Sequence, residues 1–255
     1  MRNIYTIWKR ELYVYFTSSM AYVVLAVFLV LSGYVFYSSF AVFSIISMQA
    51  SQMEYAADLN ITEMVLKPTL ENIGIFILLL VPVITMKSFA EEKKTGTLEL
   101  ILSYPLREVE LLLGKFAAAF TILFIMISST CAYPAILYKY ATPDAGTIIA
   151  GYTGLSLLAA AFIALGLMFS SFTDNQLLAA VGSFGALLMF WLLGWCEMVM
   201  GPGWGKMLTQ LSLFEHFDNF SRGIIDTRDI MYYLDFIVLF LFIAIRSLAL
   251  KRWQR

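Results

Sequence analysis

The residues with the most chemistry to offer are gathered in one stretch, Phe89-Ala-Glu-Glu-Lys-Lys-Thr-Gly-Thr-Leu-Glu-Leu-Ile-Leu-Ser-Tyr-Pro105. Neighbouring carboxylates and ammonium groups, then a glycine and a short apolar stripe, suit a docking surface for a partner in water. Such charge density stands out in a chain that is 60% hydrophobic and 14% charged. Other chemical signals fail on their own terms. Gly201-x-x-x-Gly205-Lys206-Met207 imitates a phosphate loop, but it is one residue short and lacks the Ser/Thr that such a loop needs. The single histidine, His216, cannot build a multi-histidine metal site. Glu91-Glu92 has no intramembrane histidine with which to form a protease centre. Cys131 and Cys196 both sit in apolar runs and read as small apolar side chains. No enzyme active site is expected, and no metal site.

The elements that must position the charged stretch are membrane spans. A soluble domain carries about a quarter charged residues, and the deficit here comes from long apolar runs. The first span is expected at about 20–43, the second at 70–86 with a kink or deep exit at Pro82, and the third at 116–137. The fourth follows at 148–169, the fifth at 177–198 and the sixth at 230–250; all but the short second span are long enough for ~30 Å of hydrocarbon. The fold class is therefore an all-α integral membrane protein of six transmembrane helices, one domain over 1–255. Twelve of the 17 basic residues fall before the first span, between the second and third, or after the sixth. By the positive-inside rule both termini and the charged stretch are expected to be cytoplasmic. Residues 1–19 read as an interfacial amphipathic helix rather than a cleaved signal. Ile4, Ile7, Trp8, Leu12 and Tyr15 share its apolar face, and Glu11 falls within that stripe, which is costly unless the carboxylate is paired.

In the loop over 87–114, Glu91 to Lys94 are expected to be solvated and to start a helix. Leu98, Ile101 and Leu102 form its apolar stripe, and Tyr104-Pro105 ends it. Ser170 to Gln176 is the other short contact point on that side, with Asp174 as a helix cap. Small residues in the fourth and fifth spans, among them Gly151, Gly154, Gly166 and Gly182, suit close packing within one subunit, with a seam between two subunits as the competing reading. The outer loop over 199–229 breaks at Gly201-Pro-Gly-Trp-Gly205. Its Leu208 to Phe220 segment reads as a membrane-dipping helix or lid. Glu197 and Asp235 lie near span ends and read as hydrated.

Together, the layout and the run Ser88-Phe-Ala-Glu-Glu-Lys-Lys-Thr-Gly-Thr-Leu-Glu-Leu, with the later Gly114-Lys115, resemble an ABC-2-type transporter permease. The outer segment Phe214-Glu-His-Phe-Asp-Asn-Phe-Ser-Arg-Gly223 is similar to the gliding-motility-associated branch of that family. The resemblance implies a permease subunit with no ATPase of its own, moving a hydrophobic or amphipathic substrate or transmitting force. ATP and Mg would be held by two partner ATPase subunits, and a second permease copy, the same or different, would complete the pore. An auxiliary extracytoplasmic subunit and a bacterial inner-membrane location are also implied. By motif position Glu91, Glu92, Lys94, Gly96, Thr97, Glu99 and Leu100 would form the coupling helix that contacts the ATPase, with Thr173 and Asp174 as a second contact. Pro82, Phe184, Phe190 and Trp191 are expected along the substrate pathway. The competing reading is a non-transporting scaffold that anchors a cytoplasmic partner through the same loop.

Overall fold

A computed structural model of the chain describes residues 2–52, 60–103, 107–140, 143–201 and 203–253. The expected helix end at Tyr104-Pro105, the Pro202 break and the terminal Arg255 lie outside the described residues. So do the side chains of Ile101 and Leu102, and those of Lys251 and Arg252. Every regular element among the described residues is helical. They are α1 (Arg2–Thr17), α2 (Ser19–Gln52), a π-helical turn (Thr62–Leu66), α3 (Lys67–Thr85), α4 (Lys87–Lys94), α5 (Thr97–Ser103), α6 (Glu108–Ser129) and α7 (Ala132–Leu137). Then come α8 (Ala145–Phe172), α9 (Gln176–Leu192), a 3-10 turn (Leu193–Trp195), α10 (Cys196–Met200), α11 (Trp204–Thr209), α12 (Leu213–Ser221) and α13 (Thr227–Trp253).

Six helical stretches are long and apolar enough to cross a membrane: Ser19–Gln49, Thr62–Lys94, Glu108–Leu137, Ala145–Phe172, Gln176–Met200 and Thr227–Leu250. The chain is a multi-pass membrane protein. The sequence-expected spans all fall on these helices, but most helices run on past the apolar segment. The third is interrupted at Thr130–Cys131, ahead of Pro134.

The bundle is built around α8, which packs against α13, α3, α12, α9, α6 and α4. Its small residues explain why. Gly151 faces Leu70 of α3, Gly154 faces Phe220 of α12 and Gly166 faces Thr85 of α3, so larger side chains would collide. Close backbone approach gives dispersion contacts where lipid offers no hydrophobic drive. The small-residue stripe is thus used within the subunit, as its spacing suggested. The same facing sides of α3 and α8 bury a core that includes Ile73, Ile77, Leu158, Phe162 and Leu165.

The far end of the bundle, away from α1 and α4, is closed by α12. Its His216 bridges Asp229 of α13 through Nδ1 (2.6 Å) and the Gln210 carbonyl through Nε2 (2.9 Å). Tyr233, fully buried, donates its hydroxyl to the Leu213 carbonyl at 2.6 Å. The sole histidine therefore holds α12 to the last span. Asp235 of α13 and Glu197 of α10 are both exposed on the bundle surface.

Candidate functional site

The charged stretch begins as a continuation of a membrane span. Helix α3 runs through Pro82 to Thr85, and α4 resumes at Lys87. At this junction the hydroxyl of Ser170, near the end of α8, enters the helical ladder. Its Oγ donates to the Met86 carbonyl at 3.1 Å and accepts from the amides of Phe89 (3.0 Å) and Ala90 (3.2 Å). A side chain inserted into the i→i−4 ladder is a recognised cause of helix bending, and it supplies the bonds that the backbone gives up. The boundary between the two helices therefore falls at Met86, whose own backbone stays helical, and the hydroxyl takes over the bonds that the Phe89 and Ala90 amides would otherwise give to the ladder.

Helix α4 ends at Lys94 with Thr95 as its cap, and Gly96 then turns the chain with φ +72. That left-handed conformation favours glycine, because a Cβ there crowds the following carbonyl. The Gly96 amide donates to the Lys93 carbonyl at 3.1 Å, a helix-terminating bond, and α5 starts one residue later. The expected single coupling helix is thus two short helices joined at Gly96. Glu91, Lys94, Thr97, Glu99 and Leu100 are exposed on this ridge, and Leu98 is buried beneath it. Leu100 is 66% exposed, an apolar side chain presented to the surroundings at the centre of a charged segment.

The expectation that Glu91 to Lys94 are all solvated is corrected for two of the four. Lys93 is half-buried and donates its ammonium to the Ser171 carbonyl, which also accepts from Ser247 of α13 at 2.9 Å. Glu92 turns inward to a compact ionic square. Arg10 Nη2 lies 2.6 Å from Glu11 Oε1 and 2.8 Å from Glu92 Oε1, while Lys115 Nζ lies 3.0 and 2.9 Å from the same two oxygens. Lys115 is almost wholly buried, with its ammonium 5.2 Å from the centre of the Phe89 ring. The square unites α1, α4 and α6. Burial alone would raise the Glu11 carboxyl pKa, but Lys115 and Arg10 outweigh it and hold the group below the ordinary carboxylate range. Glu92 Oε2 is buried with no hydrogen-bond partner among the described residues, so the network is not fully satisfied.

Glu11, placed by the sequence in an apolar stripe, is thereby explained as an internal ion-pair partner. Its helix is fastened to the bundle: the apolar face of α1 packs on α6, with Ile7 buried and Trp8 Nε1 donating to Thr121 Oγ1 at 3.0 Å. Gly114 makes this approach possible, since a Cβ there would stand 2.6 Å from Ile7 Cγ2. Burial pushes the Tyr15 hydroxyl up to about 12, and it donates to the Ile84 carbonyl at 3.1 Å. Between α1, α2, α3 and α4 lies a cavity of about 570 Å³, with Arg10, Lys87 and Glu91 at its polar side and Val24, Val83 and Ile122 among its apolar walls.

The second short connection adjoins the same ridge. Thr173 is half-buried and Asp174 exposed. The cap of α9 is Asn175 rather than Asp174, with its Oδ1 accepting from the Leu177 amide at 2.9 Å. Register decides this, because Thr173 Oγ1 takes the Asn175 amide and the helix starts one residue later than expected. The proposed pathway residues are not gathered at one place. Pro82 is buried in α3, and Phe184 is half-buried on α9. Phe190 meets Phe236 of α13 edge-on at 5.1 Å, whereas Trp191 turns to Phe214 of α12 at 6.2 Å. Sequence reasoning missed Arg10, Lys115 and Ser170 as anchors. The signal available for the first two was the lone Glu11 among apolar neighbours, which required a cation from elsewhere in the chain.

These features define a polytopic helical membrane protein that presents a charged ridge anchored to several spans at once. A family model described as ABC-2 family transporter protein matches residues 5–245, and the chain belongs to that family. It is also similar to the "Probable multidrug ABC transporter permease YbhR" of Escherichia coli strain K12, 27% identical over 146 residues, which is 56% of this chain and 39% of that protein. The protein of the same name from Escherichia coli O157:H7 matches to the same extent. The chain spans about two-fifths of the length of these curated relatives.

Proposed function

We propose that the chain is the permease subunit of an ABC exporter, driven by a separate cytoplasmic ATPase that seats on the α4–α5 ridge. The observation that carries this reading is the anchoring of the ridge. Lys115 and Glu92 tie α4 to α6, Arg10 and Glu11 tie it to α1, and Ser170 ties it to α8. A push delivered to Glu91, Lys94, Glu99 or Leu100 would therefore move whole spans rather than flex a loop. The distribution of basic residues supports placing this face and both termini in the cytoplasm of a bacterial inner membrane. Two ATPase subunits holding ATP and Mg, and a second permease copy, complete the proposed assembly. The likeness of Phe214 to Gly223 to the gliding-motility branch extends it to an auxiliary extracytoplasmic subunit. The relatives are named multidrug permeases, which supports a hydrophobic or amphipathic small-molecule substrate here.

The test is reconstitution of the chain with an ATPase encoded beside it. Co-purification and substrate-stimulated ATP hydrolysis are expected. The Gly96→Pro, Glu99→Arg double variant is expected to keep its spans and lose coupling. Normal ATP-driven transport by that variant would sink the assignment of the ridge. Binding with no stimulation of hydrolysis would favour a scaffold instead.

A further inference from the structure

At the end of the bundle opposite the ridge, a cavity of about 270 Å³ opens between α3, α9 and α12. One side is aromatic. Trp191 and Trp195 lie 5.1 Å apart at a tilt, and Phe214 stands 6.2 Å from Trp191. The other side carries three carboxylates, Glu71, Glu215 and Asp218, and no lysine or arginine is in the lining. The nearby cations serve mainly one of the three. Lys67 is 2.7 Å from Asp218 but 3.6 Å from Glu71, and Arg222 also pairs with Asp218, at 2.8 Å. Glu215 has no ion-pair partner among the described residues. Desolvation, with repulsion from Asp218 and Glu197, raises its carboxyl above the ordinary range, and His216 and Arg222 oppose the rise only in part. Ser212, also in the lining, has a buried Oγ with no hydrogen-bond partner among the described residues.

Aromatic faces beside under-compensated carboxylates attract positive charge and reject negative charge. The three carboxylates do not converge closely enough to hold a metal ion, and no metal-binding group of acids, His or Cys occurs among the described residues. We infer that this cavity binds a small organic ammonium, its charge against Glu215 and Glu71 and its apolar group over Trp191 and Phe214. The phosphate of a choline lipid would meet three carboxylates, so a free cation is favoured over a lipid headgroup. The Ser212 hydroxyl is placed to serve a ligand with a polar substituent. The inference deepens the export reading by naming a substrate class for the outer mouth, and it rests on that reading only for its biological purpose.

The binding test needs no ATPase. The full-length chain, purified in a non-ionic detergent, is titrated by calorimetry with benzyltrimethylammonium. Saturable binding is expected, and Glu215→Gln and Trp191→Leu should each weaken it roughly tenfold or more. Glu215→Asp should retain most of the affinity. Neopentylbenzene, the neutral isostere, and dodecylphosphocholine should not displace the ligand. Unchanged affinity in well-folded Glu215→Gln, displacement by the neutral isostere, or displacement by the phosphocholine would each overturn the assignment. Failure here leaves the ridge and its ATPase untouched, and failure of ATPase coupling leaves this binding result standing.

Discussion

Lys115 Nζ stands 2.9 Å from Glu92 Oε1, although Glu92 belongs to the helix that leaves the second span and Lys115 to the third span. This bond makes the charged ridge part of the bundle. A buried ammonium between two carboxylates is strongly destabilising to break one-sidedly, because the remaining charges stay desolvated.

Lys115→Met is accordingly expected to cost about 3–5 kcal/mol of stability, read as a lowered melting temperature of the detergent-purified protein. Adding Glu11→Gln and Glu92→Gln to that variant should recover much of the loss, since no uncompensated charge is then buried. A triple variant no more stable than the single one would show that the square is not the source of the effect.

Acid should release α1 by a defined route. The folded-state pKa of Glu11 lies below its ordinary value. Its stabilising contribution is therefore present above the ordinary carboxylate pKa and is lost as pH falls through the depressed one. Trp8, bonded to Thr121 of α6, reports this contact by fluorescence. We expect its emission to shift at acid pH, and Glu11→Gln to remove that part of the titration.

The six spans were legible in the sequence because lipid demands long apolar helices with internally satisfied backbones. The exposed side of the ridge was legible for a related reason, as charge is rare elsewhere in the chain. The inward turn of Glu92 and Lys93 was not legible. Both depend on partners distant in sequence, Lys115 and the Ser171 carbonyl, and local pattern cannot distinguish a solvated glutamate from one that meets a buried lysine. The link between α8 and the start of α4 was hidden for the same reason. Pro82 is visible in the sequence, whereas the intruding hydroxyl comes from Ser170.

Gly96 offers a separable test of the turn. No atom lies within 4 Å of the position a Cβ would take, so the cost of a side chain there is conformational rather than steric. Gly96→Ala should lose about 1–2 kcal/mol from the left-handed backbone alone. Gly96→Asn should lose less, because asparagine tolerates that region. Circular dichroism should show the spans intact in both. If coupling to an ATPase depends on the angle between α4 and α5, ATP-driven transport should rank glycine, asparagine, alanine in falling order.

The last prediction concerns the hydroxyl between α8 and the start of the ridge. Ser170→Ala removes a donor to Met86 and an acceptor for Phe89 and Ala90, all in a buried setting. The ladder can partly repair itself, since the Ala90 amide can reach back to the Met86 carbonyl once nothing stands between them. The net loss of stability should therefore be modest, about 1–2 kcal/mol. The mechanical consequence should exceed it, because α4 would then lose its hydrogen-bonded link to the end of α8. Hydrogen exchange is expected to quicken at Lys93 and Lys94 while the amides of α3 stay protected. A cysteine pair spanning α4 and the α8–α9 turn should cross-link less readily than in the parent chain. Unchanged exchange and cross-linking in Ser170→Ala would mean that Lys93 and the ionic square hold α4 without the hydroxyl.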